Sequence, residues 1–151
     1  MNSRNYFLAL AGLALILLHA PAAVAQQKAP SRALAVAGDT VWVVVNPVKP
    51  EKRAQFERFV NEIFWPSGAK LGAADQRSFR QTRVLNAVRP EADGTYSYVF
   101  IMDPVQKGFA YDISALLTKV YGKEKAAEYY KLFTESLAGK QRTYVTVQTR
   151  F

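Results

Sequence analysis

Apolar residues alternate or cluster in four segments of the chain that predict β-strands. Residues 40–46 (TVWVVVN) are β-branched and aromatic, with apolar side chains on both faces of the predicted strand, which Pro47 is expected to end. Residues 78–88 and 95–102 predict two strands around Asp93-Gly94, a pair that tolerates the positive φ of a tight hairpin. Residues 141–151 (QRTYVTVQTRF) predict the last strand.

Two segments with helical periodicity lie between these strands. The first begins at Pro50 and is expected to be closed by Pro66 and Gly68, and its apolar positions are Phe56, Phe59, Val60, Ile63 and Phe64. Residues 66–77 then predict a loop. The second segment begins at Asp112, whose carboxylate is suited to cap a helix, breaks at Gly122 and ends at Gly139.

The resulting order, β-α-β-β-α-β, predicts an α+β, ferredoxin-like fold: an antiparallel four-stranded sheet with the helices on one face. Strand alternation divides the sheet residues into two sets. The set expected under the helices is aliphatic: Val41, Val43, Val45, Val99, Ile101, Val145 and Val147. The set expected on the other face is larger, aromatic and partly polar: Trp42, Val44, Asn46, Tyr96, Tyr98, Phe100, Met102, Tyr144, Thr146, Gln148 and Arg150. Because monomers rarely expose so large an apolar surface, we expect a homodimer, sheet against sheet, that forms an α/β barrel.

The N-terminal segment has the pattern of an export signal. Arg4 precedes an uncharged, mostly apolar run at residues 7–18, and Ala23-Val24-Ala25 provides the small residues that signal peptidase requires. The run is shorter than the roughly 20 residues of a membrane span, so an uncleaved anchor is the less favoured alternative. We expect cleavage after Ala25, a periplasmic or secreted protein without a transmembrane span, a flexible tether at residues 26–38 and one domain at residues 39–151.

Composition limits the chemistry of residues 26–151. The chain has no Cys, and its single His, His19, lies in the predicted signal. A thiolate nucleophile, an imidazole base, a His-held haem and an ordinary zinc or copper site are therefore excluded, and we expect no metal and no cofactor.

The chain is also basic, with a formal net charge of +8 at pH 7. Two clusters contribute to it: Arg77, Arg80, Arg83 and Arg89, and Lys49, Lys52, Arg53 and Arg58. They indicate either a solvated basic surface or a contact for an anionic phospholipid, polysaccharide or small molecule. Nucleic acid is not an expected partner, because no nucleic-acid motif accompanies the basic residues.

Residues 39–151 resemble the dimeric α/β-barrel superfamily, which includes antibiotic-biosynthesis monooxygenases, haem-degrading monooxygenases and NIPSNAP-type proteins. The resemblance rests on the topology, on the segment VWVVVNPVKPEKRAQFERFV and on the hairpin. It implies a barrel dimer with a pocket in each subunit. Haem-degrading members hold iron with a His that residues 26–151 lack, although Asn46 and Trp65 match two other roles loosely. Quinone-forming members use no cofactor, and their substrate-holding residues imply roles here for Asn61, Trp65, Arg83, Tyr96 and Tyr98.

Two functions of different classes follow. The first is a non-enzymatic exported dimer that binds a small apolar or anionic ligand, or a partner protein, because the sequence identifies no acid–base pair. The second is a cofactor-independent, monooxygenase-like enzyme that acts on an aromatic small molecule. The candidate ligand-binding residues, with Arg83 steadying an anion and the rings stacking on the ligand, are Trp42, Asn46, Arg83, Tyr98 and Tyr144.

Overall fold

Four antiparallel strands organise residues 33–150, the part of the chain that the computed structural model describes. They are β1 (Thr40–Val48), β2 (Thr82–Leu85), β3 (Tyr96–Met102) and β4 (Arg142–Val147), and their order in the sheet is β2-β3-β1-β4. Helices follow β1 and β3, as the sequence predicts. The structure thus confirms the ferredoxin-like α+β class.

The first strand continues past Pro47, contrary to the prediction. Its last regular pair with β4 is Val45 with Arg142, so no strand lies beside Pro47 on that side. The carbonyl oxygen of Pro47 instead accepts a hydrogen bond from the amide of Ala138 at 2.8 Å. A proline is tolerated here because the missing N–H has no strand to bond.

The first helical segment is not uniform. A 3₁₀ turn (Pro50–Lys52) leads into α1 (Arg53–Arg58), a π-helical segment (Phe59–Phe64) and α2 (Trp65–Gly68). The helix ends at Gly68, one of the two predicted closing residues, but it continues through Pro66. Pro66 is tolerated because the π-helical segment before it already interrupts the i→i+4 bonding that a proline would break. A further helix, α3 (Ala73–Phe79), replaces much of the predicted loop and shortens β2.

The second helical segment is the predicted pair, α4 (Ile113–Tyr121) and α5 (Lys123–Ser136). Asp112 caps α4, since its Oδ1 accepts a hydrogen bond from the Ala115 amide at 2.6 Å. Gly122 separates the two helices at φ +78°, a conformation that glycine adopts without strain. The second helix ends at Ser136, earlier than predicted, because the amide of Lys49 bonds to the Ser136 carbonyl and draws the chain back to β1.

The predicted assignment of the two sheet faces is wrong. Asn46, Tyr98, Phe100 and Met102 are buried under the helices. The opposite face, here called the valine face, consists of half-buried aliphatic residues that have no helix over them among residues 33–150: Val41, Val43, Val45, Val99 and Ile101. The predicted faces of β4 are exchanged as well. Tyr144 lies opposite Val43 on the valine face, and Val145 lies opposite Trp42 on the helix side.

Ring packing explains why the aromatic side lies inside. Phe56 of α1 is fully buried, and its ring centroid lies 4.7 Å from that of Tyr98 and 5.8 Å from that of Phe133. Phe64 lies 5.4 Å from Phe100 in the same way. Large rings bury more area than valines and here pack in tilted contacts, so the aromatic face forms the better core with the helices.

Residues 33–38 contact the sheet. The amide of Ala35 donates to Asp103 Oδ1 at 2.9 Å, and the amide of Gly38 donates to the Gln148 carbonyl at 2.9 Å. The predicted signal and the remainder of the predicted tether, residues 1–32, lie outside the described residues. Within the described part, no helix combines the length and the apolar character needed to cross a bilayer.

Candidate ligand-binding cavity

A cavity of about 440 Å³ lies between the helix side of the sheet and the helices. The sheet and the residues just before β4 contribute Trp42, Val44, Thr82, Phe100, Met102, Gln141 and Thr143. The helices and the loop before α4 contribute Phe64, Phe79, Phe109, Ala110, Tyr111, Asp112, Ile113, Leu116 and Tyr130. Its size and mostly apolar lining are those of small-molecule sites.

Aromatic rings in mutual contact form much of the wall. The ring of Tyr111 lies 5.6 Å from Trp42 and 4.8 Å from Phe109, between centroids. Phe64 and Phe79 approach to 5.1 Å on the other side. Phe64 belongs to the π-helical segment, a feature that often accompanies functional sites. A planar apolar molecule can stack on such rings.

Glycine at position 68 allows α2 to approach the wall this closely. A Cβ atom placed on Gly68 would lie 2.3 Å from Cε1 of Phe79, well inside van der Waals contact. Any other residue at this position would therefore displace the Phe79 ring, which lines the cavity.

The polar groups in the wall are few, and three hydroxyls among them are unengaged. The hydroxyls of Thr82, Tyr130 and Thr143 make no hydrogen bond to any group in residues 33–150. Thr82 is buried, with 8% of its surface exposed, so its hydroxyl has little other than the cavity to face. These hydroxyls are available to a ligand with one or two hydrogen-bonding groups.

Two of the ionisable groups in the wall, Asp112 and Tyr111, already make hydrogen bonds within the fold. Asp112 caps α4. The Tyr111 hydroxyl accepts a hydrogen bond from the Gln106 amide at 2.8 Å, and burial raises the pKa of Tyr111 above its ordinary value. Tyr111 is consequently protonated at neutral pH and is unsuited to act as a base.

Of the five residues predicted to bind the ligand, Trp42 lines the cavity. Asn46 is fully buried deeper under the helices, where its Nδ2 donates to the carbonyl oxygen of Tyr98 at 3.2 Å. Its Oδ1 accepts from Nε2 of Gln141 at 2.6 Å, and Gln141 is a cavity residue. Asn46 therefore holds a wall residue in place without lining the cavity itself.

Tyr98 is also buried outside the cavity, in a polar cluster at the end of the sheet. Its hydroxyl donates to Glu57 and accepts from Nε of Arg53 at 3.1 Å, and the Arg53 guanidinium lies 4.5 Å from the Tyr96 ring centroid. Burial, together with the hydrogen bond to Glu57, raises the pKa of Tyr98 to about 12. The same hydrogen bond and the Arg53 charge lower the pKa of Glu57. The cluster satisfies the Tyr98 hydroxyl and lies outside the cavity.

Arg83 and Tyr144 lie on the valine face, so the structure does not bring them together with Trp42. Arg83 Nη2 forms a 2.8 Å ion pair with Asp103 Oδ2. Tyr144 is 51% exposed at the edge of the valine face. The predicted basic clusters are partly neutralised in the same manner, because Arg53 and Arg58 also pair with carboxylates.

The sequence prediction missed most of the wall. Thr82, Phe100 and Met102 follow from strand alternation once the correct face is chosen, so their signal was present. Phe109 and Tyr111 lie in an irregular loop, and Phe79 lies in a helix that was predicted as loop and strand. Periodicity gives no indication of where side chains in such segments point.

Comparison with known proteins yields matches among solved structures. No protein-family model and no curated protein matches the chain. A crystal structure from Caulobacter crescentus CB15, of a protein provisionally assigned as an antibiotic biosynthesis monooxygenase, is 16% identical and covers 76% of this chain and 92% of that one, with a TM-score of 0.40. A Bordetella bronchiseptica protein of the same provisional assignment is 15% identical and covers 75% and 99%, with a TM-score of 0.39. This agrees with the resemblance predicted from the sequence; it concerns the fold, and no activity follows from it.

Proposed function

We propose that this protein binds a small, uncharged, largely aromatic molecule in the cavity between sheet and helices. The observation that carries the proposal is the cavity itself, about 440 Å³ in volume and lined by aromatic rings with a few unengaged hydroxyls. Rings supply the contact area, and a small number of polar groups supply the orientation.

The electrostatics of the wall favour an uncharged ligand over an anionic one. Within the described residues, no lysine or arginine lines the cavity, and Asp112 is the carboxylate that does. A buried anion would lack a counter-charge and would bear a desolvation penalty of several kcal/mol. Arg83, predicted to steady an anion, is paired with Asp103 on the valine face instead.

The same wall favours binding over the alternative, a cofactor-independent monooxygenase. Such an enzyme would need a base to form the substrate anion, whereas Asp112 caps a helix and Tyr111 retains its proton. Uptake of O₂ that requires both the protein and an added aromatic hydroquinone would support the enzyme in place of a binding protein.

A direct test compares two dyes that differ by one charged group. N-phenyl-1-naphthylamine is uncharged and fluoresces in apolar surroundings, and 1-anilinonaphthalene-8-sulfonate adds a sulfonate to the same rings. We expect the uncharged dye to saturate one site per chain with a Kd of about 1 μM, near −8 kcal/mol, and the sulfonate to bind about tenfold more weakly. Fluorescence titration measures both values. Equal affinity for the two dyes would contradict the uncharged-ligand proposal, and no saturable binding of either would overturn the site.

We also propose that a second copy of the chain covers the valine face. Its half-buried valines and Ile101 are flanked by Leu85 at 47% exposure and Tyr144 at 51%. An antiparallel sheet that is apolar on both faces usually has both faces covered, and a two-fold dimer covers two such faces at once. The homodimer remains a barrel of the predicted kind, but it is assembled through the valine face and not through the Trp42 face.

Export stays a proposal that rests on the pattern of residues 1–25. If a signal peptidase cleaves after Ala25, protein recovered from the periplasm or medium of a secreting host should begin at Gln26. Intact-mass measurement and N-terminal sequencing check this result. A protein that retains Met1 in the cytoplasmic fraction would contradict it.

A further inference from the structure

Part of the loop between β3 and α4 forms a thin wall between two empty spaces. Phe109 and Ala110 line the aromatic cavity, and with Gly108 they also line a second hollow of about 180 Å³. The other side of this hollow is formed by residues of α3, α4 and the turn before α3: Leu71, Asp75, Ala115, Leu116 and Lys119. The Phe109 ring therefore has a space into which it can move.

Both ends of this loop are fixed. Near its start, the Val105 amide donates to the Thr40 carbonyl at 2.8 Å, and the Gln106 amide donates to the Tyr111 hydroxyl at 2.8 Å. At its other end, Asp112 caps α4. These hydrogen bonds hold the residues that precede and follow the thin wall in sequence while the wall itself moves.

Residues 107–110, here called the gate segment, are held much less firmly. Their one hydrogen bond within residues 33–150 joins the Phe109 amide to the Gln106 carbonyl and is long, at 3.4 Å. Gly108 has φ +79°, and nothing lies within 4 Å of the position its Cβ would take. Segments with few backbone hydrogen bonds open at low free-energy cost, and glycine accommodates the change in φ and ψ that opening requires.

We infer that the gate segment controls one passage into the aromatic cavity, with the Phe109 ring moving into the 180 Å³ hollow to admit or release a ligand. This inference rests on the proposed ligand-binding function. In the closed form the Phe109 ring meets the Tyr111 ring edge to face, 4.8 Å between centroids, and separates the cavity from the hollow. In the open form the Phe109 ring occupies the hollow, and the segment pivots at Gly108.

A substitution that fills the hollow separates gating from binding. Ala115 lines the hollow, does not line the cavity and is exposed on α4, so Ala115→Phe places a ring where Phe109 would move. Because this raises the barrier for entry and exit alike, we expect both rate constants for N-phenyl-1-naphthylamine to fall about tenfold while Kd changes by less than about twofold. Stopped-flow fluorescence measures the two rate constants. Ala127→Phe, an exposed alanine of α5 away from both spaces, is the matched control and should leave all three values unchanged.

The complementary variant removes the moving ring. Phe109→Ala is expected to raise the association rate constant, because less of the wall must be displaced for the dye to enter. If the dye binds but Ala115→Phe leaves both rate constants at the wild-type values, the gate is overturned and the cavity proposal survives. If the wild-type protein does not bind the dye at all, the cavity proposal is overturned and the gate with it.

Discussion

Thr143→Trp is expected to abolish binding of N-phenyl-1-naphthylamine while the protein remains folded. Thr143 lines the cavity from β4, a strand whose six residues are all exposed, so an indole can enter the cavity without displacing the core. An occupied cavity leaves no room for the dye, and we expect affinity to fall by at least about 100-fold, or 2.7 kcal/mol. Fluorescence titration measures the affinity, and circular dichroism during heating measures the stability, which should change by less than about 0.5 kcal/mol.

The control for this experiment comes from the same strand. Val147 lies on the same face as Thr143, opposite Thr40, is 60% exposed and does not line the cavity. Val147→Trp should therefore bind the dye as the wild-type protein does. Wild-type affinity in Thr143→Trp would mean that the dye binds elsewhere and that the cavity is not the site.

Val43→Glu is expected to convert the proposed homodimer into a folded monomer. Val43 lies at the centre of the valine face, between Ile101 on β3 and Tyr144 on β4. In a two-fold dimer each substitution occurs twice, so two unpaired carboxylates would be buried in one interface. An unpaired buried charge costs about 3–5 kcal/mol, so the dissociation constant should rise by at least about 100-fold. Sedimentation velocity over a dilution series measures it.

Two variants keep this test informative. Val145→Glu introduces the same charge on the helix side of β4, where the residue is 66% exposed, and should not alter assembly. Val43→Thr keeps the β-branched shape and should weaken the dimer less than Val43→Glu does. A wild-type protein that sediments as a monomer throughout, or a Val43→Glu protein that remains dimeric, would show that a second copy does not cover the valine face.

Elements with strong periodicity were predictable from the sequence. β1, β3, the helix pair and the Asp112 cap lie close to their predicted positions. The aromatic and aliphatic sets of β1 and β3 were also separated correctly, since a period of two determines which residues share a face. Alternation does not say which of two apolar faces meets the helices, and the choice depended on how well Phe56 and Phe64 interlock with Tyr98 and Phe100.

The segment around Trp65 shows a second limit. With 100° per residue from Phe56, an ideal helix would point Asn61 and Trp65 away from the core. Asn61 is exposed, as this predicts, but Trp65 is half-buried with its ring 5.4 Å from Phe79. The π-helical segment changes the angular phase of every residue after it, and sequence periodicity alone did not reveal it.

The candidate site was predictable in its kind but not in its residues. The sequence indicated a ring-lined pocket without cysteine or histidine, and Trp42 is one of its wall residues. Arg83 and Tyr144 were assigned to the pocket by a register of β2 and β4 that alternation could not determine. Register in these strands depends on pairing with β3 and β1, which is set by contacts distant in sequence.

The exposure of β4 has a consequence for how ligand preference can change. The rings of the wall belong to the core, where substitution is costly, but Thr143 is exposed and bonds to nothing through its hydroxyl among residues 33–150. Position 143 can therefore vary in size and polarity at little thermodynamic expense, whereas Gln141 is constrained by its bond to Asn46. A saturation library at position 143 would sample new ligand specificities on an unchanged fold. The same substitutions can arise in evolution at little cost in stability.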